Sequence, residues 1–148
     1  MKVGVATRGE RVAEIRYLPA TTPTKCSENP FVARVASQLE RYRADPDIKF
    51  DFPIVVEGTP LQRAVWDAMC AIPRGRTRTY GDIARELSAD ARDIGQACGD
   101  NRLPIVIPCH RVVAANGLGG FAHATSGYLI EVKRWLLAHE APAFELRP

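Results

Sequence analysis

The chain has 148 residues, of which 46% are hydrophobic and 25% charged, with a formal net charge of +3 at pH 7. This is the composition of an ordinary soluble globular protein. No stretch reaches the roughly 18 apolar residues that a membrane span needs, and Lys2 to Gly9 lacks the apolar core of a signal peptide. We therefore expect no membrane association and a cytoplasmic protein, associated with the nucleoid if the source is bacterial.

Residues 1–57 predict a small N-terminal α+β lobe. Val3–Thr7 and Val12–Leu18 have the pattern of a hairpin, and a helix is predicted to begin at Pro30 and to end before Asp45. Apolar residues then alternate over 50–56, which predicts a strand, and the proline in that run places the strand at a sheet edge.

Residues 58–148 predict a second, mainly helical domain. Thr59 to Gln62 have the order of a capping box, and Thr79 can cap a short helix that runs to Leu87. A further short helix is predicted from Ala91 to Cys98. Two short helices around a tight turn resemble a helix-turn-helix.

An apolar run with two prolines, Leu103–Pro108, predicts a buried extended segment rather than a helix. A last helix is predicted to end near Glu140. The fold class is therefore α+β, with a small N-terminal lobe and a C-terminal helical domain.

The arginines lie unevenly along the chain. Between Arg74 and Arg111 there are seven arginines and no lysine. The planar guanidinium offers several directed donors and suits phosphate recognition. From charge alone, however, a solvated surface is the more common explanation.

The four cysteines are widely spaced and form no Cys-x-x-Cys pair; they are Cys26, Cys70, Cys98 and Cys109. A zinc ribbon or a redox motif is therefore not indicated, and we expect free thiols, no metal and no cofactor. Cys109 differs from the others because a restrained Pro108 precedes it and the ionisable His110 follows it. A thiolate needs a base or positive surroundings at neutral pH, and histidine can supply them. An inert buried cysteine is the alternative.

The motif Pro108-Cys109-His110-Arg111-Val112 resembles the active-site signature of the O6-alkylguanine-DNA alkyltransferases, also called methylated-DNA–protein-cysteine methyltransferases. Further motifs follow in the order of that family: Gly58 to Gln62, Val65-Trp66, Ile72 to Gly75 leading to Thr79-Tyr80, Arg92 to Gly95, Asn101, and Lys133 to Glu140. The resemblance covers residues 50–140 strongly, and the first lobe only in outline. Leu61 stands where the family often has Phe, and the loop 117–127 is longer than expected.

The resemblance implies the catalytic roles. Cys109 would be the nucleophile, His110 its base acting through a water, and Glu140 the residue that orients the imidazole. Tyr80 would supply a proton to the departing guanine. Without the resemblance these would be a structural histidine, a solvated helix end and an aromatic anchor.

The resemblance also implies duplex DNA as the partner, bound by a monomer through the minor groove with the alkylated base extruded. Arg92 would enter the base stack in place of that base, although a surface arginine paired with Asp90 or Asp93 is the alternative. The remaining site residues are implied as follows: Ala91, Gly95 and Thr79 contact DNA, Asn101 and Arg111 support the site, and Val112, Cys98 and Phe121 line the substrate pocket, with Phe121 where an active-site tyrosine can stand.

The predicted function is DNA repair by direct, stoichiometric and self-inactivating transfer of an alkyl group from O6-alkylguanine to Cys109. O4-alkylthymine is a second candidate substrate. Two other classes stay open at this point. A cysteine hydrolase would use Cys109, His110 and Glu140, but adjacent residues rarely face each other and no hydrolase signature surrounds the cysteine. A non-catalytic helix-turn-helix protein would bind DNA without transfer.

Overall fold

The protein, represented by a computed structural model, is described for residues 2–141. Residues 142–148, the end of the second predicted domain, lie outside the described residues. The chain divides into two compact units between Val56 and Glu57. Helices and short strands occur together, which confirms the α+β class. Within residues 2–141, no helix is long and apolar enough to cross a membrane.

The first unit contains a hairpin and one helix. Strands β1 (Lys2–Thr7) and β2 (Val12–Leu18) pair antiparallel as predicted. Helix α1 (Pro30–Ala44) begins where the Asn29 side chain accepts a hydrogen bond from the backbone N–H of Phe31, and proline fills the first position, which needs no donor. The apolar residues buried in this unit are Val12, Ile15, Tyr17, Phe31, Val35, Tyr42 and Phe52.

The strand predicted over 50–56 is wrong. Only a single parallel bridge joins Ile54 to Val12, with hydrogen bonds from Val12 N to Pro53 O (2.9 Å) and from Val55 N to Val12 O (2.8 Å). Pro53 has no N–H to continue a ladder, so the pairing ends after one bridge. The predicted edge position of this segment agrees with that geometry.

The described part of the second unit, residues 57–141, contains four α-helices at the predicted places: α2 (Pro60–Cys70), α3 (Tyr80–Leu87), α4 (Ala91–Gly99) and α5 (Tyr128–Glu140). Both Thr59 and Thr79 form complete capping boxes, with Gln62 and Asp82 as the reciprocal partners. Two N-terminal donors are thereby satisfied at each start, which explains why these helices begin where the sequence predicts.

A tight turn joins α3 to α4. Ser88 adopts a left-handed conformation (φ 52°), and the Asp90 side chain accepts a hydrogen bond from Arg92 N at 2.8 Å to start α4. The indole Nε1 of Trp66, on α2, donates to the carbonyl of Ala97 at 2.9 Å. Helix α4 is thus fixed by its cap at one end and by α2 along its length, with its N-terminal residues exposed.

The segment Leu103–Pro108 is buried as predicted, but it is not extended. Ile107 N donates to Leu103 O at 2.8 Å, and Ile105 has a positive φ of 74°, so the chain makes a turn. Asn101 stabilises the turn, because its Nδ2 donates to Ile107 O and its Oδ1 accepts from Leu103 N, each at 2.9 Å. The backbone groups that a strand would pair are satisfied locally instead.

Two very short strands, β3 (Arg78–Thr79) and β4 (Val112–Val113), pair in parallel. A short 3₁₀ helix, Cys109–Arg111, leads directly into β4. The start of α3 therefore lies beside the end of the cysteine-containing turn. This pairing positions residues that are about thirty apart in the sequence in one site.

Candidate active site

Cys109 begins the 3₁₀ helix and is buried, with 6% of its surface exposed. Burial raises the pKa of its thiol to about 11, and a hydrogen bond with Asn101 and the charge of Lys133 act in the opposite direction. The group is therefore a thiol rather than a thiolate at neutral pH. A proton acceptor is required before this sulfur can act as a strong nucleophile.

His110 and Glu140 form a buried pair behind Cys109. The imidazole Nε2 lies 2.9 Å from Glu140 Oε2, and the two side chains are 0% and 2% exposed. Burial lowers the pKa of His110, although the neighbouring carboxylate opposes the shift. The imidazole is therefore neutral and able to accept a proton. Among residues 2–141, no protein group hydrogen-bonds to its Nδ1.

Arg111 also contacts the Glu140 carboxylate. Its Nε donates to Glu140 Oε2 and its Nη2 to Oε1, both at 2.9 Å, while Nη1 donates to the carbonyl of Ile72 at 2.6 Å. Such a two-pronged contact fixes both the position and the orientation of a carboxylate. A supporting role for Arg111 in the site stays a prediction.

Tyr80 is the first residue of α3, and its hydroxyl donates to the carbonyl of Gly120 at 3.1 Å. Burial raises the pKa of the phenol to about 12, with smaller contributions from Cys98 and Cys109. The hydroxyl therefore keeps its proton at neutral pH. It can act as a hydrogen-bond or proton donor to a group bound in the pocket.

Lys133 is a buried residue of this site to which the sequence analysis assigned no role. It is 0% exposed, and its Nζ donates to Val112 O at 2.7 Å and to Gly120 O at 2.9 Å. The ammonium also lies 5.9 Å from the centre of the Tyr80 ring. Burial lowers the pKa of Lys133 to about 8. Lys133 follows Ile130 by three residues, a spacing that puts both on the same buried face of α5. That spacing could have predicted its burial from the sequence.

A pocket of about 470 Å³ opens beside Cys109. Seven of the residues singled out in the sequence line it: Tyr80, Ala91, Arg92, Gly95, Cys98, Cys109 and Phe121. Val112, which was predicted to line the pocket, is fully buried in β4 and does not line it; its carbonyl instead receives the hydrogen bond from Lys133. Thr79 caps α3 at the back of Tyr80.

Arg92 stands at the pocket mouth, on the exposed first turn of α4. Its backbone N–H donates to the Asp90 side chain, but within residues 2–141 its guanidinium forms no ion pair with Asp90, Asp93 or any other residue. The charge is therefore available at the surface where α4 begins. In residues 2–141, no cluster of three or more His, Cys, Asp or Glu side chains could hold a metal ion.

The sequence of this chain is similar to those of known proteins. Residues 60–142 match the family model described as "6-O-methylguanine DNA methyltransferase, DNA binding domain". The chain is 41% identical over 125 residues to a methylated-DNA–protein-cysteine methyltransferase of Methanosarcina mazei, covering 82% of this chain and 76% of the relative. A constitutive enzyme of the same name from Bacillus subtilis is 38% identical, with coverage of 82% and 73%.

Solved structures of methyltransferases also resemble this chain. The chain superposes on the crystal structure of Mycobacterium tuberculosis OGT in complex with DNA with a TM-score of 0.74 and 36% identity, covering 95% of this chain and 89% of that one. An O6-methylguanine-DNA methyltransferase from Pyrococcus kodakaraensis, at 22% identity and a TM-score of 0.56, shares the fold. The resemblance inferred from the sequence is confirmed: this chain belongs to the family of the 6-O-methylguanine DNA methyltransferases.

Proposed function

We propose that this protein repairs DNA by transferring an alkyl group from O6 of guanine to Sγ of Cys109. The observation that carries the proposal is the position of Cys109 in the wall of a pocket that Tyr80 and Arg92 also line, with the buried His110–Glu140 pair behind it. A nucleophile, a base, a group that orients the base and a donor for the leaving group therefore converge on one pocket. The names of the relatives describe the same reaction.

In the proposed step, the sulfur attacks the alkyl carbon, so that the S–C bond forms while the C–O6 bond breaks. The electron pair of the broken bond passes to the guanine ring. Tyr80 donates a proton to that ring, and the thiol proton passes through a water to His110. Return of a proton from His110 to Tyr80 balances the reaction, which yields a thioether and ordinary guanine. No cofactor takes part, and the protein is consumed because a thioether has no easy reversal.

The protonation states support this order of events. The thiol pKa of about 11 and the lowered pKa of His110 give a neutral pair at rest. A neutral imidazole that Glu140 stabilises when protonated is suited to accept the thiol proton as the alkyl carbon is attacked. A resting thiol also avoids the cost of a buried, unpaired thiolate.

The proposed substrate is duplex DNA that carries O6-alkylguanine, with O4-alkylthymine as a second candidate. A buried sulfur cannot reach a base inside the stack, so the nucleotide must be extruded into the pocket. Helices α3 and α4 form the helix-turn-helix that approaches the minor groove, and the unpaired Arg92 guanidinium takes the place of the extruded base. Ala91 and Gly95, which also lie at the pocket mouth, leave room for the sugar-phosphate backbone. The protein acts as a monomer in the cytoplasm.

Mass spectrometry after mixing the protein with duplex DNA containing one O6-methylguanine tests the proposal. The peptide that contains Cys109 should gain the mass of one methyl group, and the DNA should recover ordinary guanine. Cys109→Ala should gain no mass, whereas Cys70→Ala, which removes an exposed thiol, should react normally. Binding of the duplex without transfer would instead support a non-catalytic DNA-binding protein.

A further inference from the structure

The rim of the pocket contains a tight turn, residues 121–124. Phe121 and Ala124 exchange two backbone hydrogen bonds of 2.8 Å each, so that Ala122 and His123 form the tip. Both tip residues have positive φ values, 50° and 65°. Two-residue turns of this kind favour Asn and Gly, because other side chains are strained there. Contacts outside the turn are therefore needed to hold it in this form.

One such contact joins the turn to the end of α4. The imidazole Nε2 of His123 lies 2.9 Å from Oδ1 of Asp100, and Oδ2 of Asp100 accepts a hydrogen bond from Gln62 Nε2 at 3.0 Å. The imidazole also rests on the backbone of Gly99, where an added Cβ would overlap the ring. His123 is thus held both by its contact with the Asp100 carboxyl group and by close packing on Gly99, and Asp100 is itself held by Gln62 of α2.

The contact joins two segments that both line the pocket. Phe121, Ala122 and His123 line it from the turn, and Cys98 and Gly99 line it from α4. The separation between the turn and the end of α4 therefore depends on whether His123 stays on Asp100. Cys109, the proposed alkyl acceptor, opens into the same pocket.

We propose that the His123–Asp100 contact is a latch that sets the size of the alkyl group this pocket accepts, an inference that rests on the proposed function. With the latch closed, the turn stays close to Gly99 and leaves room for a methyl group. With the latch released, the strained turn relaxes away from α4 and the pocket widens. His123 is then a specificity-determining residue that acts through the position of the turn, not through the reacting atoms.

Rates of transfer from two duplexes of the same sequence, one with O6-methylguanine and one with O6-benzylguanine, test the latch. His123→Ala and Asp100→Ala should each raise the benzyl-to-methyl rate ratio about threefold to fivefold, the size expected for the loss of one partly exposed hydrogen bond. The double variant should change the ratio no more than either single variant, because both remove the same contact. His123→Gln, which keeps a donor near Asp100, should retain the ratio of the unmodified protein.

The outcomes separate the latch from the proposed function. Failure of the unmodified protein to take a methyl group would overturn the proposed function. Normal methyl transfer with an unchanged ratio in both single variants would overturn the latch alone. Equal slowing with both substrates would also overturn it, because that result indicates a structural role for the turn without control of size. Additive effects in the double variant would show that His123 and Asp100 act separately.

Discussion

Arg111 and Glu140 are joined by two parallel hydrogen bonds of 2.9 Å, and the same carboxylate lies 2.9 Å from His110 Nε2. Because Glu140 is only 1% exposed, its charge depends on these partners. Arg111 thereby positions the carboxylate that contacts His110, the proposed base. Loss of the Arg111–Glu140 contact should therefore lower both the stability of the protein and the rate of the proposed transfer.

Replacement of Arg111 by lysine should lower both the stability of the protein and its rate of methyl transfer. A lysine ammonium cannot form the two-pronged contact, so the buried Glu140 charge is left incompletely paired. We expect the free energy of unfolding to fall by about 3 kcal/mol, and the rate of methyl transfer to fall with it, as measured by urea unfolding and single-turnover kinetics. Arg134→Lys alters an exposed pair with Glu131 and serves as the control. Equal stability of the two variants would contradict the role of Arg111.

Replacement of Arg92 by alanine should slow repair of duplex DNA more than it slows reaction with the free base O6-benzylguanine. The free base needs no extrusion, whereas the duplex requires the stacked gap to be filled. We expect a difference on the order of tenfold, which corresponds to about 1.4 kcal/mol of stabilisation. Rapid-quench measurement of both reactions checks this. Equal slowing of the two substrates would show that Arg92 does not act on the extruded state.

Replacement of Tyr80 by phenylalanine should slow methyl transfer by about a hundredfold, the lower range for loss of a general acid. The phenol, with a pKa of about 12, carries its proton throughout the neutral range, and phenylalanine has none to give. DNA affinity should change little. Tyr128→Phe, which alters an exposed tyrosine, is the matched control. An unchanged rate in the Tyr80 variant would remove this residue from the proposed step.

Each protein molecule should carry out one alkyl transfer and then be inactive. With a single nucleophile, product should reach a plateau at about one alkyl group per protein molecule, and chelators should not change it. The added methyl must fit a packed site, where overpacking typically costs about 1 to 3 kcal/mol. The alkylated protein should therefore melt at a lower temperature, with the strain at the contact of the cysteine turn with Asn101. Repeated turnover by substoichiometric protein would contradict self-inactivation; an unchanged melting temperature would contradict only the strain.

The stability of the protein should fall at alkaline pH partly because of Cys109. Burial raises its pKa from 9.0 to about 11, so the folded state binds the proton more tightly than the unfolded state. This contribution is fully present below about pH 9 and is lost as the pH rises through about 11. Cys109→Ser lacks the titrating thiol, so its unfolding free energy should fall less steeply across that window. Parallel curves for the two proteins would contradict the raised pKa.

The sequence by itself determined the features that depend on neighbouring residues. Capping at Thr59 and Thr79, proline at the start of α1 and the spacing of apolar residues predicted the helices, because each signal acts within one or two helical turns. The Pro-Cys-His-Arg motif identified the family. The same local reasoning predicted a strand over 50–56 and an extended segment over 103–108, and both predictions were wrong. Pro53 limits the first segment to one bridge, and Asn101 holds the second in a turn.

Only the tertiary structure decided which distant residues share the pocket. The parallel pairing of β3 with β4 brings Tyr80 to Cys109, and packing of α5 buries Lys133 against carbonyls that no local pattern specifies. The contact of His123 with Asp100 likewise joins a loop tip to a helix end. Such contacts depend on how the helices and strands pack in three dimensions. The residues that make them are far apart in the sequence, so no periodic pattern predicts that they meet.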